Sequence, residues 1–506
     1  MHASRMMMGF DPITPPRAHK VPLCSKAKLS LVAGGLLRNQ TVCRQPTKQD
    51  SFLPVPLAQF TPTFLGDHLF SVPVDGSVNM LMSPHTCDKE KIRLTHLLIS
   101  LAISHYFEEK IEEILNKAFG KLEGLIAEEH DLETISTMFE VFRLYGHKMS
   151  CDVFERFRGE QDGKFKESVA GDDIMEEARS FTRTHLAAVT STTHDPHLST
   201  HMQNVLYIPR YHCVEIAVAR EYISFYEQEE DHEEYMLKFA KLNFSYCQLH
   251  YIKELKYVTK WWKELELASK LPNTFRDRNV EIYFGMMGIY FEPRYSLARV
   301  IGIKIPMIMT LLMTHNAYGT LSEVISFTDA LQRWDIGNIE DLPNYMQINF
   351  RTFWEVMQDI EREMSSLGRP GGVQPTIDEV RAMDDMAVYS FLGMKDCDEK
   401  IMYDLFASRP KVILAFNVVF RLINDITTFE EELERGEVAN GVNCYMKQHG
   451  VRSMMDEFFK ALSTVPRQIV MRVFNTARVM NLFYKEGDGF GHSDENLKAH
   501  FTSLFL

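Results

Sequence analysis

Apolar residues recur every three to four positions through most of the chain after residue 89, which is the spacing that places them on one face of an α-helix. Glu and Lys fill the opposite face in several of these segments. The segments that carry the pattern are Lys91–Ile103, Phe107–Leu122, Phe139–Leu144, Val153–Phe157, Leu237–Trp262, Asn279–Tyr290, Ala298–Met313, Val412–Ile423 and Val470–Tyr484. No sustained two-residue alternation of the kind that marks a strand accompanies them. The pattern therefore predicts an all-α fold.

The helices divide into two groups at Leu271–Thr274, a segment that ends one long helical run and precedes one of more apolar, Met-rich character. A chain of 506 residues is long enough for two domains with large cores. We expect a basic leader over residues 1–52, an N-terminal helical domain over 53–270 and a C-terminal helical domain over 271–506. The stretch Gly368–Pro375 is expected to be a loop because of its Gly and Pro content.

Composition narrows the class of protein without naming a function. Hydrophobic residues make up 45% of the chain and charged residues 25%, as in an ordinary globular protein. The net charge of −14 argues against nucleic acid as the main partner. The eight cysteines form no CxxC pair and no zinc-type spacing, so we expect reduced thiols. The apolar run near Ile305–Met313 is too short to span a bilayer, so no transmembrane segment is expected.

The first fifty residues differ from the rest in charge. They contain eight Lys and Arg residues against only Asp11 and Asp50. A basic, acid-poor leader is typical of an organelle transit peptide. A disordered tail or a wrongly assigned start codon would give the same composition, and the sequence leaves these readings open.

The most informative polar pattern lies directly after the apolar segment Val412–Ile423. Asn424, Thr428 and Glu432 are four residues apart, which aligns three oxygen-bearing side chains along one helical face. Oxygen ligands of mixed charge suit a hard cation such as Mg²⁺. The alternative interpretation is a solvated acidic helix end, since polar stripes on helices are common.

A pair of arginines stands at the start of the second half. Arg276 and Arg278 precede the apolar segment Asn279–Tyr290, and guanidinium groups bind phosphate through paired hydrogen bonds. Alone, such a pair is more often engaged in surface salt bridges. Together with the oxygen-bearing stripe, it indicates a pocket for a diphosphate attached to a hydrocarbon, where cations would stabilise the leaving diphosphate and apolar walls would exclude water.

Besides the oxygen-bearing stripe, a series of short motifs, one of which contains the arginine pair, runs almost from end to end of the chain. The motifs are Phe60–Asp67, Ser150–Phe157, Leu237–Phe244, Trp261–Leu265, Arg276–Arg278, Tyr290–Arg299, Ala317–Thr320, Gln332–Asp335, Cys444–Gly450 and Tyr484–Gly489. In all of them the chain resembles plant class I terpene synthases of the angiosperm sesquiterpene type. The resemblance implies an N-terminal helical domain without its own active site, and a C-terminal bundle that ionises a prenyl diphosphate with three Mg²⁺.

The resemblance also assigns roles to individual residues. Asn424, Thr428 and Glu432 fill the family's second metal motif, accompanied by Asp425. Arg276 and Arg278 fill its diphosphate clamp, Arg421 is placed to contact diphosphate, and Asp488 matches an acid that helps to close the pocket. The cofactor implied is Mg²⁺, with Mn²⁺ as a substitute.

The chain departs from the family in its first metal motif, an Asp-Asp-x-x-Asp run. The corresponding slots hold Leu312, Met313 and Asn316. Leu and Met offer no oxygen ligand, and Asn is a neutral one. The chain is also shorter than the family pattern near Gly171-Asp172, between Gly368 and Thr376, and after Val451. We expect the loss of the three first-motif carboxylates to cost several orders of magnitude in rate.

The sequence therefore predicts a Mg²⁺-dependent terpene synthase, with farnesyl diphosphate favoured as substrate and geranyl diphosphate as the alternative. A catalytically impaired paralogue, or a mispredicted gene product, that at most binds diphosphate is the second reading, and a purely structural helical protein is the third. We expect a monomer whose partner is the small-molecule diphosphate. The motifs favour the cytoplasm, whereas a genuine leader would favour the plastid.

Overall fold

The computed structural model describes residues 83, 85–127, 129–157, 173–207, 210, 213–270, 278–318, 320–369, 373–374, 377, 467–485, 487, 489–490, 493 and 495–505, with the backbone alone described at some helical positions, including 173–180 and 311–318. All of these residues belong to one compact unit, Phe52–Leu506. Their α-helices, in chain order, are α1 (Asp88–Ser100), α2 (Glu108–Phe119), α3 (Leu122–Ala127), α4 (Leu132–Leu144), α5 (Asp173–Thr192), α6 (Pro196–Tyr207), α7 (Glu215–Tyr226), α8 (Glu234–Glu264), α9 (Leu267–Lys270), α10 (Asn279–Ile289), α11 (Ser296–Tyr318), α12 (Leu321–Arg333), α13 (Asn344–Ser366), α14 (Arg467–Phe483) and α15 (Glu495–Phe505). No β-strand occurs in the described ranges, and the all-α prediction is confirmed.

Two of the helices begin at reciprocal side-chain caps that the local sequence dictates. At α12, Thr320 Oγ1 accepts the Glu323 amide at 3.4 Å, and Glu323 Oε2 accepts the Thr320 amide at 2.8 Å. Cys87 and Glu90 make the same exchange at the start of α1. Each arrangement satisfies amide groups that the first turn of a helix leaves without a partner.

Several predicted helices are present in the structure but begin or end at different residues than expected. The segment Leu237–Trp262 lies within the 31-residue α8. The segment expected as one helix over Phe107–Leu122 instead ends at Phe119, where Gly120 terminates α2 and a turn leads into α3. The helix predicted over Phe139–Leu144 corresponds to only the last half of α4, whose N-cap is Asp131.

Three further predictions need correction or lie outside the described residues. Val153–Phe157 belongs to a 3₁₀-helix, Cys151–Phe157, and not to an α-helix. The loop expected at Gly368–Pro375 is a turn at Gly368, where φ is +74°, but Val373 and Gln374 are helical. The domain boundary at Leu271–Thr274 lies outside the described residues, between the end of α9 at Lys270 and Arg278, and the division into 53–270 and 271–506 stays a prediction.

Helix α10 is the buried centre of the part of the fold that concerns the predicted site. It packs against α11 and α14, and also touches α7 and α8. Its residues from Ile282 to Ile289 are all buried, so it has no solvent face along this length. An apolar helix enclosed in this way requires close approach of its neighbours, which one of its two glycines provides.

Those glycines are Gly285 and Gly288. A Cβ built on Gly288 would lie 2.5 Å from a Val479 methyl and 2.7 Å from a Val214 methyl. A Cβ on Gly285 would lie 3.5 Å from Val479 and 3.6 Å from Phe483, which is ordinary contact. Gly288 therefore sets the distance between α10 and both α14 and α7, whereas Gly285 has room for a methyl group.

Candidate active site

Most of the predicted site residues lie outside the part of the chain that the structure describes. These are Arg276, Arg421, Asn424, Asp425, Thr428, Glu432 and Asp488. Their roles stay predictions. Arg278 is the predicted site residue whose side chain is described, and the slots of the first metal motif are described through their helical backbone.

Arg278 stands immediately before α10, where its guanidinium group meets the C-terminal loop of the chain. Its Nη1 donates a hydrogen bond to the main-chain oxygen of Phe490 at 2.5 Å. The guanidinium carbon lies 5.5 Å from the centroid of the Phe490 ring. Glu281, in the first turn of α10, places Oε1 3.7 Å from the same Nη1. Both charged side chains are mostly enclosed, with 14% of Arg278 and 15% of Glu281 exposed.

This position suits an anion for two reasons. The first turn of a helix carries amide groups without helical partners and the positive end of the helix dipole, both of which attract negative charge. The guanidinium of Arg278 adds a permanent positive charge that cannot be removed by deprotonation at physiological pH. An anionic ligand arriving here would have to take the guanidinium from the Phe490 carbonyl oxygen and from Glu281.

The loop that brings Phe490 to Arg278 depends on its glycines. The Gly489 amide donates to the main-chain oxygens of Phe483 at 3.0 Å and Gly487 at 2.9 Å. A Cβ on Gly489 would lie 2.3 Å from the Phe483 oxygen, and Gly487 has a φ of +128°. Any other residue at position 489 would clash with backbone, and one at 487 would be strained. The turn returns the chain toward α10 directly after α14.

The first metal motif lies on α11, which continues through all its slots to Tyr318. The helical backbone places positions 312 and 316 one turn apart on the same face. Their side-chain types, Leu and Asn, with Met at 313, do not form a donor set for Mg²⁺. Among the described residues there is also no group of three or more His, Cys, Asp or Glu side chains that could hold a metal ion. The first motif thus does not fit the metal, while the donor types Asn424, Thr428 and Glu432 of the second motif do fit it chemically.

The far end of α10 is held by a buried arginine of α14. Arg472 Nη2 and Nη1 contact the carboxylate of Glu292 at 2.7 and 3.1 Å, and Nη1 also donates to the Ile289 oxygen at 2.8 Å. Asn475 adds a hydrogen bond to the Ile289 oxygen at 3.3 Å. Burial alone would raise the pKa of Glu292, but Arg472 outweighs it and holds that pKa at about 2. Both partners are therefore charged across the physiological range.

A second buried arginine, on α11, holds the same end. Arg299 contacts both carboxylate oxygens of Glu254, on α8, at 2.8 and 2.7 Å. Its Nη1 donates to the Tyr290 oxygen at 2.7 Å and to the Glu292 oxygen at 2.8 Å. The Arg299 side chain is fully buried. The last carbonyl groups of α10 and of the turn after it are thereby satisfied by charged donors.

Sequence reasoning assigned no role to Glu254, Arg299, Glu292 or Arg472, although Arg299 and Glu292 fall inside a quoted motif. The signal that could have found them is a charged residue on an otherwise apolar helix face, as Arg472 is in Val470–Val473. A charge that is buried at such a position needs a paired partner. The sequence does not say which of the many acids supplies it.

A separate cleft of about 590 Å³ lies between α6, α7 and α15, and none of the predicted site residues lines it. Three of its polar side chains, Arg210, His96 and Glu140, contact one another. Arg210 Nη1 lies 3.0 Å from His96 Nε2, and Arg210 Nε lies 3.4 Å from Glu140. Burial would raise the pKa of Glu140, but His96 and Arg210 hold it at about 2.

Comparisons with known proteins place the chain in a family. The profile described as "Terpene synthase family, metal binding domain" matches residues 263–383 and 379–465, and that described as "Terpene synthase, N-terminal domain" matches residues 74–173. "Terpenoid synthase 25" of Arabidopsis thaliana is 48% identical over 98% of each chain, and "Terpenoid synthase 17" of the same plant is 46% identical over 100% of this chain and 99% of its own. The chain belongs to the terpene synthase family. The predicted resemblance and enzyme class are confirmed at that level.

Solved structures agree on the fold. Isoprene synthase from grey poplar leaves, in complex with three Mg²⁺ ions and dimethylallyl-S-thiolodiphosphate, covers 88% of this chain and 98% of its own at a TM-score of 0.72 and 22% identity. Limonene synthase with 2-fluorolinalyl diphosphate covers 87% of this chain and 94% of its own at a TM-score of 0.70 and 23% identity. At this level of identity the likeness supports the predicted two-domain helical fold of class I terpene synthases and nothing finer. None of the described helices is both long and apolar enough to cross a membrane.

The length difference seen in the sequence is also visible in the comparison. The alignment with "Terpenoid synthase 25" runs over 593 positions, which is more than the 506 residues of this chain. Part of that relative therefore has no counterpart here. The chain is thus shorter than this relative, and the predicted places of the missing segments stay predictions.

Proposed function

We propose that the chain is a Mg²⁺-dependent terpene synthase that ionises a prenyl diphosphate and cyclises the resulting carbocation. Farnesyl diphosphate is the favoured substrate, since the motif set is of the sesquiterpene type, and geranyl diphosphate is the alternative. The observation that carries the proposal is Arg278, which is enclosed at the N-terminus of a buried apolar helix in a chain of this family. An anion-binding end beside an apolar core is what a hydrocarbon diphosphate requires.

In this proposal Arg276 and Arg278 grip the diphosphate, and Arg421 adds a third guanidinium. Asn424, Thr428 and Glu432, accompanied by Asp425, would hold the metal, with Mn²⁺ able to replace Mg²⁺. Bound Mg²⁺ would neutralise charge on the departing diphosphate. Asp488 stands between the two glycines of the C-terminal loop, where it would help to exclude water from the closed pocket.

The second candidate function is diphosphate binding with little or no turnover. The observation in its favour is the donor set on α11, where Leu312, Met313 and Asn316 replace the family's carboxylates. Even the loss of groups behind metal ligands costs about 10–100-fold in affinity or activity. The loss of the ligands themselves is expected to cost more.

The test is incubation of the purified full chain with farnesyl or geranyl diphosphate and Mg²⁺, followed by gas chromatography of the extract. A terpene that forms with Mg²⁺ or Mn²⁺ and disappears with a chelator is the expected result for a synthase. If well-folded protein binds Mg²⁺-pyrophosphate but gives no product, the second candidate is correct. If it binds neither, both proposals fail.

A triple variant separates the metal defect from damage to the scaffold. Leu312→Asp, Met313→Asp and Asn316→Asp together would restore the family's first motif. Activity that appears only in the triple variant would show that the rest of the pocket is intact. The matched control is the double variant Leu312→Asn and Met313→Asn, which together with the native Asn316 restores polarity without carboxylate charge.

We further propose that the protein is a cytoplasmic monomer, with the plastid as the alternative location if the basic leader is a transit peptide. Imaging of the full chain fused at its C-terminus to a fluorescent protein in leaf cells distinguishes the two compartments. Plastid signal that is lost on removal of residues 1–52 would overturn the cytoplasmic assignment.

A further inference from the structure

Both the middle and the far end of α10 are fastened to α8, a helix of the predicted N-terminal domain. Tyr251 of α8 donates its hydroxyl proton to the Phe291 oxygen, just beyond α10, at 2.6 Å. Tyr283 of α10 donates to the main-chain oxygen of Tyr251 at 3.0 Å and to Glu254 Oε2 at 2.9 Å. All of these groups are buried, so water does not compete for the hydrogen bonds.

Glu254 extends the same attachment through a charge. Its two carboxylate oxygens hold Arg299, and Arg299 in turn holds the main-chain oxygens of Tyr290 and Glu292. Burial opposes the charge on Arg299, but Glu254 raises its pKa above the ordinary value. The main-chain oxygens of three successive residues, Tyr290, Phe291 and Glu292, are thus held, directly or through Arg299, by two side chains of α8. Removal of the Glu254 charge would leave the guanidinium buried and unpaired.

Helix α10 transmits this attachment to the opposite end. It has 11 residues and is therefore about 16 Å long. It contains no proline or other break, and it is enclosed by α11 and α14. Because close-packed interiors transmit strain, we expect a shift at Tyr290 to be carried along α10 to Arg278 at its start.

We propose that Glu254 and Tyr251 are positioning residues for the diphosphate site, and that α8 of the N-terminal helical region sets where Arg278 stands. This rests on the proposed function of Arg278 in binding diphosphate. The N-terminal helices then do more than support the fold, because a group about one helix length away fixes the clamp. A shift of about 1 Å at a binding group is enough to lose about two orders of magnitude in rate.

The chain offers a matched pair of variants on the same helix. Tyr251→Phe removes the hydroxyl that holds Phe291. Tyr106→Phe removes a hydroxyl that donates to Asn243 Oδ1, also on α8, at 2.9 Å, but does not touch α10. Each variant deletes one hydrogen bond to or from α8, but Tyr251 is fully buried and Tyr106 is 40% exposed, so the unfolding temperature of each variant is measured alongside its binding. Glu254→Gln is a second test, which keeps the size of the side chain and removes its charge.

The experiment is calorimetric titration of each full-length variant with inorganic pyrophosphate and Mg²⁺, well below its unfolding temperature. We expect Tyr251→Phe and Glu254→Gln to weaken binding by about tenfold, and Tyr106→Phe to bind as the wild type does. Wild-type affinity in both folded Tyr251→Phe and Glu254→Gln would overturn the proposal, even if their unfolding temperatures fall.

If the wild type does not bind pyrophosphate, that result counts against the proposed function but not against the attachment of α10 to α8. Hydrogen exchange of the amide groups of α10 then tests the attachment by itself. In Tyr251→Phe we expect faster exchange from Tyr290 back to the first turn at Asn279, at least about fivefold above Tyr106→Phe. Faster exchange confined to residues next to Phe291, with an unchanged first turn, would show that α10 does not carry the attachment to Arg278 and would overturn the inference.

Discussion

The two glycines of α10 give a sharp test of how closely its neighbours approach. Replacement of Gly288 by Ala would place a Cβ 2.5 Å from a methyl group of Val479 and 2.7 Å from one of Val214. Both neighbours are valines, whose β-branched side chains have few alternative rotamers, so one of the helices must move. Replacement of Gly285 by Ala meets nothing closer than 3.5 Å.

The expected magnitudes differ in sign. Ala is favoured over Gly inside a helix by about 0.8–1 kcal/mol, and this gain applies at both positions. Overpacking a tight core costs roughly 1–3 kcal/mol, and this cost applies only at Gly288. We therefore expect Gly285→Ala to stabilise the protein by about 0.5–1 kcal/mol and Gly288→Ala to destabilise it by up to about 2 kcal/mol.

The assay is urea unfolding of both variants and the wild type, followed by tryptophan fluorescence, with thermal scans at one fixed rate as a second measure. The two variants carry the same substitution three residues apart on the same helix, so each serves as the control for the other. Equal stability of the two, or a stabilised Gly288→Ala, would refute the packing argument for α10, α14 and α7.

Two other expectations concern charge. The pKa of buried His105 falls from its ordinary 6.5 to about 4, chiefly because burial disfavours its charged form, with Glu292 opposing the shift and Arg294 and Arg472 adding to it. Between pH 6.5 and 4 the unfolded chain therefore binds a proton at His105 that the folded chain does not bind, so the free energy of unfolding should fall as the pH is lowered through that window. In urea titrations at a series of pH values, His105→Gln should make this fall shallower. An unchanged dependence on pH would contradict the argument. Arg278→Lys keeps the charge but loses the planar guanidinium, so we expect binding of Mg²⁺-pyrophosphate to weaken by about tenfold, since hydrogen bonds to charged groups are worth roughly 1.5–3 kcal/mol. The control is Arg294→Lys, in the turn between α10 and α11, where the arginine pairs with Glu108 of α2. Equal affinity of the two variants for Mg²⁺-pyrophosphate would argue against Arg278 as the clamp.

The sequence predicted best those helices whose apolar pattern is long and strong. α8, α10, α11 and α14 were all located, with ends displaced by a few residues, because their periodicity outweighs local exceptions. The helices α5 and α6 were not singled out, and no described residue of α6 is buried, so the apolar stripe that would mark it is weak. Helix α13 was also missed, although Phe350, Phe353 and Met357 form a clear buried stripe that could have been found.

The sequence named candidate site residues but could not name the partners that their side chains contact. Arg278 could be proposed from its place before an apolar helix. Its contact with Phe490 joins residues that are 212 positions apart, and nothing in either local sequence specifies the other. The same holds for Glu254 and Arg299, 45 positions apart. The local sequence indicates which charged side chains will be buried and need an oppositely charged partner, whereas the packing of the helices determines which residue is that partner.

The pair between Glu292 and Arg472 also has a consequence for the order in which the chain can fold during its synthesis. The two residues are 180 positions apart, so the ribosome adds the arginine roughly 9–36 s after the glutamate at about 5–20 residues per second. Until then the carboxylate cannot be buried without a large penalty, since one charge enclosed without its partner costs roughly 3–5 kcal/mol. The end of α10 must therefore stay solvated while most of the C-terminal half is made, and the enclosed form of this helix is among the last parts of the protein to be completed.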